Sequence, residues 1–445
     1  MGGLTEEGAL SGETAAEIAV SVEGAISAGR LAPGERLPTV RELAARLEVS
    51  PATVNAAYRA LRNRGLVAGS GRAGTRVVES GASASRRLAA PVGPGVRNLA
   101  DGNPDPELLP PLRPACARLT GKHWLYGEGG RLPALLDWFR HNFERDGLVA
   151  DHLAVIGGAM DGAERALQAH LRPGDAIVVE DPGYGGVLDL VPALGLRPIA
   201  VPVDADGMRP DLLGRALEQR PDACILTPRA HNPTGAAFTE RRAAELLEVL
   251  RGHDDLLVLE DDHAGAISGA DPVTVVGRGD LRRWAVIRSL TKTLGPDIRI
   301  GGLSGDQLTV DRVIRRQQVG AGWVSHVLQE LAATILTDPA TPPLLAAARE
   351  TYRERRQALA DALQRHGIRV SGRSGFNAWI PTPAEGAVAQ ALLARGWAVR
   401  AGESFRTHSP PGLRVTFASL LPDEAEDFAR ALHDILHGDG RSYTA

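Results

Sequence analysis

The sequence predicts an α/β protein in two parts: a small N-terminal helix-turn-helix unit with a β wing, and a large domain on a mainly parallel sheet with flanking helices. Three observations carry that expectation. Within residues 1–79, two short capped helices meet at a tight turn and are followed by a glycine-tipped hairpin. From residue 99 to 445, short apolar runs alternate with helical patterns, which is how a sheet with crossover helices reads. Residues 80–98 between them are rich in Gly, Ala, Ser and Pro and lack apolar periodicity, the composition of a flexible linker.

In chain order, residues 14–29 place Ile18, Val22 and Ile26 at intervals of four, the spacing of one helix face. Gly34-Glu35-Arg36-Leu37-Pro38 form a turn. Thr39 and Glu42 then make a capping box for a second helix that buries Val40, Leu43, Ala44 and Leu47. After the turn at Glu48-Val49, Ser50 is placed to cap a third helix and Pro51 to open it. That helix carries Val54, Ala57, Tyr58 and Leu61 on one face, leaves Thr53, Asn55, Arg59 and Arg62 off it, and is expected to stop at Gly65. Leu66-Val67 and Thr75-Arg76-Val77-Val78 flank a glycine-rich tip as a wing. A helical cap with solvated arginines is the plainer alternative. Against it, nine arginines face only three glutamates between Arg30 and Arg76, a charge suited to a phosphate backbone and major groove.

The run Gly34 to Ala44, then Val49-Ser50, Thr53-Val54, Ala57-Tyr58, Leu61 and Gly65-Leu66-Val67, resembles the GntR-family DNA-binding domain over residues 14–79. The resemblance implies a double-stranded DNA operator as partner, with Arg41 gripping phosphate and the third helix reading bases. Pro51 stands where the family often has arginine, which shifts base reading onto Thr53, Asn55 and Arg59, with Arg62 further along.

Composition narrows the remainder. A formal charge of −4 and 43% hydrophobic residues describe an ordinary globular chain. No basic stretch leads into an apolar run at the start, and no apolar window approaches the roughly 18 residues of a membrane span, so neither a leader nor a membrane partner is expected. Cys116 and Cys224 have no metal-ligand spacing and form no disulfide framework, which predicts no metal and a reducing, cytoplasmic setting. Of 50 basic residues, only Lys122 and Lys292 are lysines. A surface lysine can become arginine, but a Schiff-base lysine cannot, because guanidinium stays protonated and is a poor nucleophile.

In the large domain the apolar runs 176–179, 224–227, 256–260 and 284–288 read as strands buried on both faces, separated by helices such as 160–170, 239–251 and 311–317. Ligands of such sheets sit beyond the strands' carboxyl ends. Lys292 follows the last run, Asp261 the third, Tyr184 the first and Asn232 the second, while Gly157-Gly158-Ala159-Met160 lead into a helix whose N-terminus can accept phosphate. Singly, each has a structural explanation as a cap, a packing ring or a turn. Together they supply the amine, carboxylate, stacking ring, oxygen partner and phosphate cup of a pyridoxal 5′-phosphate site.

Their combination and order resemble the fold-type I pyridoxal-phosphate enzymes, the aspartate aminotransferase group, from about residue 99 to 437. The resemblance implies a large part over about 99–338 and a small C-terminal α/β part over about 339–445. It implies that Lys292 joins the cofactor's aldehyde, that Asp261 pairs with the pyridinium nitrogen, that Tyr184 stacks on the ring and that Asn232 bonds its 3′-oxygen. Ala159, Met160, Ser289, Thr291 and Arg299 would hold the phosphate, Arg414 would clamp a substrate carboxylate, and Tyr126 would reach the phosphate of a second subunit in a homodimer. His263 stands near where the family usually has a tyrosine, so a pH-sensitive cofactor is expected. Asp262→Ala is expected to be mild.

Joined, the two halves resemble the MocR subfamily, GntR readers fused to aminotransferase-like domains. Gly102-Asn103-Pro104-Asp105-Pro106, the run Leu226 to Gly235, Trp284 to Ser289 and Trp323-Val324-Ser325-His326 are most similar to its PtsJ type, regulators linked to vitamin B6 salvage. This implies a regulator sensing pyridoxal phosphate, another B6 vitamer or an amino compound. An active aminotransferase with an appended DNA reader, and a cofactor-free dimerisation scaffold, are the other readings.

Overall fold

The computed structural model describes residues 10–32, 34–63, 66–68, 74–77, 92–277 and 281–438. The chain divides into two compact units.

The small unit has its core between residues 10 and 77. Helix α1 (Ala15–Ser27) starts at a capping box made by Thr14 and Glu17, and α2 (Val40–Arg46) at the expected box of Thr39 and Glu42. Glu48 turns the chain with a positive φ of 54°. The Ser50 hydroxyl then accepts the Thr53 N–H at the start of α3 (Pro51–Asn63). Val54, Ala57, Tyr58 and Leu61 are fully buried, at 0–1% exposure, and Tyr58 donates to the Pro38 carbonyl at 2.8 Å, tying α3 to the entry of α2. The wing is antiparallel, β1 (Val67–Ala68) against β2 (Arg76–Val77), with Val67 opposite Val77. Gly65 and the wing tip lie outside the described residues.

The large unit is built on an eight-stranded sheet. Its strands are β4 (Leu153–Ile156), β5 (Ala176–Asp181), β6 (Arg197–Asp204), β7 (Gly207–Met208), β8 (Ala223–Leu226), β9 (Leu257–Asp262), β10 (Trp284–Ser289) and β11 (Gly301–Gly305), in the order β4-β11-β10-β9-β8-β5-β6-β7. The β5-β8-β9-β10 centre is parallel and buried on both faces, as its continuous apolar runs require. One side departs from the parallel expectation, because β11 runs antiparallel to both β10 and β4. Its sequence, Gly-Gly-Leu-Ser-Gly, is unlike an apolar strand because its neighbours leave no room. A Cβ on Gly302 would lie 2.4 Å from the Phe139 ring, and one on Gly305 2.6 Å from the Trp284 carbonyl.

The C-terminal part packs β12 (Asn377–Pro381), β15 (Gly412–Thr416) and β14 (Arg400–Ala401) as a second sheet with its own core. The chain preceding the large sheet contributes here too. Arg97–Asn98 (β3), inside the stretch whose composition reads as linker, pairs in parallel with Trp397–Ala398 (β13). Leu99, expected to begin the large part, is buried in the C-terminal core instead.

Candidate functional site

The carboxyl ends of β5, β8, β9 and β10 open onto a cavity of about 510 Å³. Its walls bring together ten of the residues expected from the sequence: Ala159, Met160, Tyr184, Asn232, Asp261, His263, Ser289, Thr291, Lys292 and Arg299. Asp261 is held on β9, and Lys292 sits three residues beyond β10, in the one-turn helix Thr291–Leu294.

Lys292 Nζ donates to the Gly102 carbonyl at 2.7 Å and stands 5.4 Å from the Phe376 ring centre. Burial, with Arg414 nearby, pushes its amine down to about 8. Asp261 moves the other way: burial, then the neighbouring Asp262 and Glu180 carboxylates, push it up to about 7. Its Oδ1 is buried and has no hydrogen-bond partner among the described residues. A buried carboxyl oxygen without a donor is costly, which marks the place where a ligand N–H fits.

The opposite end is fitted for an anion. The Ala159–His170 helix begins at Gly158, whose φ of 99° requires glycine, and no side chain caps it. Arg299 lies beside it, donating to the Gly157 carbonyl at 3.0 Å while its own backbone holds a positive φ of 48°. The hydroxyls of Ser289 and Thr291 are 2.8 Å apart at the same end of the cavity. Uncapped N–H groups, a guanidinium and two hydroxyls are donors of the kind that suits a phosphate. An amine made partly neutral, an unpartnered acid and this cup together fit pyridoxal 5′-phosphate.

Tyr184 is positioned from behind. Asp181, at the end of β5, accepts from the N–H groups of Thr407, His408 and Ser409, and Gly183 N–H donates to the Phe405 carbonyl. These bonds tie the Pro182–Tyr184 loop to the segment before β15. Beneath Asn232, the buried His231 ring bonds Thr234 at 2.7 Å and lies 3.3 Å from Glu180.

Two expected residues do not line this cavity. Arg414 lies at its edge, on the Ala100 carbonyl and 3.5 Å from Asn232 Oδ1, stacked 4.8 Å from Phe405. Tyr126 is 92% exposed, edge-on to Trp323. The other lysine, Lys122, keeps its charge occupied, 2.7 Å from Glu128 and 3.9 Å above the Trp124 ring.

On the small unit, Arg41, Asn55 and Arg59 are exposed together with the starts of α2 and α3. Thr53 is half-buried, its hydroxyl 2.8 Å from Ser50 Oγ, so it serves the helix cap. The Arg62 side chain lies outside the described residues.

Residues 14–77 match the family of bacterial regulatory proteins, gntR family, and residues 133–432 match aminotransferase class I and II. The vitamin B6 salvage pathway transcriptional repressor PtsJ of Salmonella typhimurium is 40% identical over 96% of this chain and 100% of its own. The chain is a MocR-type member of the GntR family. The HTH-type transcriptional regulator TauR of Rhodobacter capsulatus is 29% identical, over 92% of this MocR-type chain and 94% of its own length. An archaeal alanine:glyoxylate aminotransferase superposes with a TM-score of 0.71 at 24% identity, covering 77% of this chain and 90% of that one, which establishes the fold-type I architecture.

Two expectations for this MocR-type regulator need correction. His263 does not titrate near neutrality: burial, then the Lys292 charge, push it down to about 4, so it is neutral where cells live. Asp262 is tied into the fold, against the expectation of a mild substitution. It bridges Arg229 at 2.7 Å and Arg288 at 2.7 Å, and Asp146 joins the same two arginines, a buried quartet under the sheet. The arginines hold Asp262 far below the usual carboxylate range, against its burial. Sequence reading also missed Asp101, Gly102, Asn103 and Asn377 in the cavity wall. The Gly102–Pro106 run carried a signal only as part of the subfamily resemblance, which assigned it no place in the cavity.

Proposed function

We propose that this regulator binds pyridoxal 5′-phosphate on Lys292 and adjusts its grip on an operator according to the state of that site, controlling vitamin B6 salvage as its Salmonella relative's name describes. The observation that carries this is the pairing, across one cavity, of a partly neutral Lys292 amine with the Asp261 carboxyl, whose buried Oδ1 has no partner among the described residues. When bound, the cofactor supplies an aldehyde that reacts with amines and a ring that draws electrons while its nitrogen is protonated. Asp261 would keep the proton at that nitrogen, Tyr184 would cover the ring, and Asn232 with His263 would serve its 3′-oxygen. Ala159, Met160, Ser289, Thr291 and Arg299 hold the phosphate. Tyr126, exposed on its loop, serves the second copy in a homodimer. The whole works in the cytoplasm, where its operator is. Ligand and DNA communicate only through differential binding to two arrangements of the dimer.

Turnover as an aminotransferase is the rival, favoured by the buried Arg414 beside the cavity. Borohydride reduction of the cofactor-loaded protein followed by peptide mapping should label Lys292; a label on Lys122 would overturn the assignment. Operator binding by Lys292→Ala then separates the two. A sensor loses its response to the cofactor, whereas an enzyme with a passive reader loses only turnover.

A further inference from the structure

A second cavity, of about 370 Å³, lies in the large unit and shares no wall residue with the Lys292 cavity. It is bounded by the Pro133–Arg145 helix and the start of the Thr341–Arg365 helix. Half-buried Trp138 and Leu345, with Pro272 and Pro342, give it an apolar wall. Its inner end is polar. Arg288 donates to Asn142 Oδ1 at 2.7 Å, and a guanidinium only donates, so the amide oxygen is fixed there and Nδ2 is the end left over. Asn142 is 7% exposed and forms part of the wall, and its Nδ2 has no hydrogen-bond partner among the described residues. A buried amide donor without an acceptor is costly, which marks a place where a ligand oxygen fits.

Charge points the same way. Arg229 and Asp146, two members of the buried quartet, reach the wall, and Arg229 Nη1 makes a long bond of 3.4 Å to the Ala270 carbonyl. Arg145 and Arg349 are exposed at the rim. Arg145 is 3.6 Å from Asp146, and Arg349 makes no hydrogen bond or ion pair among the described residues. Three guanidinium groups thus meet two carboxylates, Asp146 and Asp271, and Asp146 is already shared by Arg229 and Arg288. The Thr341–Arg365 helix adds its positive end, which no side chain caps.

We propose that this cavity is a second ligand site, separate from the cofactor's, for an aromatic carboxylate. Its ring lies against Trp138 and Leu345, and its carboxylate accepts from Asn142 Nδ2 and the arginines. A neutral ring compound leaves these donors unanswered, and a small inorganic anion leaves the apolar wall wet.

Calorimetry on the full-length protein with pyridoxal 5′-phosphate added tests this with indole-3-acetate and its neutral amide, indole-3-acetamide, following cofactor absorbance in the same samples. One indole-3-acetate should bind per chain, about tenfold or more tighter than the amide, the effect of charge-assisted hydrogen bonds. Arg349→Gln should lower that ratio several-fold, and Arg349→Lys should restore part of it. Ala346→Trp, at an exposed helix position in the wall, should abolish binding by filling the space while leaving cofactor absorbance and melting temperature as they were. No binding of the acid, equal binding of acid and amide, or binding that survives Ala346→Trp overturns the proposal. Indole-3-acetate that still shifts the cofactor absorbance of Ala346→Trp lodges in the Lys292 cavity, which overturns it as well.

Discussion

Adjacent carboxylates on β9 should respond to mutation in opposite ways. Asp262 accepts four hydrogen bonds or ion pairs from Arg229 and Arg288, all buried. Asp262→Ala leaves two guanidinium groups to share Asp146, and breaking such a buried network costs about 3–5 kcal/mol. With an unfolding entropy of about 2.1 cal/mol/K per residue over roughly 350 residues, that is a fall in apparent melting temperature of about 4–7 °C. Asp261 has an oxygen with no partner and a raised affinity for its proton. Asp261→Ala should therefore leave the melting temperature of the cofactor-free protein unchanged or slightly higher, while removing the stabilisation that added cofactor gives the wild type. Thermal melts of both variants, with and without pyridoxal 5′-phosphate, decide the matter. If Asp261→Ala melts as low as Asp262→Ala, or Asp262→Ala melts like the wild type, the division of labour is wrong.

In the cofactor-free protein the stability that Asp261 contributes should fall as pH rises from about 4 to about 7, against opposite contributions from the buried His263 and His170. A carboxyl whose folded pKa is raised stabilises the fold below its unfolded value and forfeits that on titration, and Asp261→Asn should flatten this slope in urea melts at stepped pH. Lys292 adds an opposite slope, stability rising between about 8 and 10.5, which Lys292→Met should abolish. Gly158→Ala should weaken cofactor binding by about tenfold or more in absorbance titrations, because its Cβ would lie 3.0 Å from Arg299 and its φ is unsuited to alanine; equal affinity would remove the phosphate cup from that helix. In gel-shift assays, Arg41→Ala should weaken binding to all DNA and lower the salt slope by about one contact. Asn55→Ala should cost about 1–3 kcal/mol on the operator alone, and Thr53→Ala should act through helix stability, lowering the melting temperature of the small unit.

The DNA reader was legible nearly residue by residue, because caps, turns and apolar spacing are local signals. The Thr39–Glu42 box and the α3 core face depend on nothing distant. The cavity was legible where residues follow strands, as with Asp261, Lys292, Tyr184 and Asn232. It failed where function depends on long-range packing. β11 is glycine-rich to make room for Phe139 and for the β10 backbone, so no apolar pattern announced it. Substitution of Asp262 looked mild because its partners, Arg229, Arg288 and Asp146, lie far away in sequence. Gly102 and Asp101 meet Lys292 across nearly two hundred residues of chain, a proximity that spacing does not encode.

The carbonyls of Ala100 and Gly102 occupy, respectively, the Arg414 guanidinium and the Lys292 amine. A short length of backbone thus stands in for the polar oxygens of a ligand. Every ligand that reaches both groups must first win them from this internal competitor. Its measured affinity is the intrinsic affinity scaled by the fraction of molecules in which residues 100–102 have let go. Sensitivity to the effector can therefore be set at a segment the effector never touches: a change that loosens that peptide lowers the threshold concentration, and one that fastens it raises the threshold, with the binding groups themselves untouched.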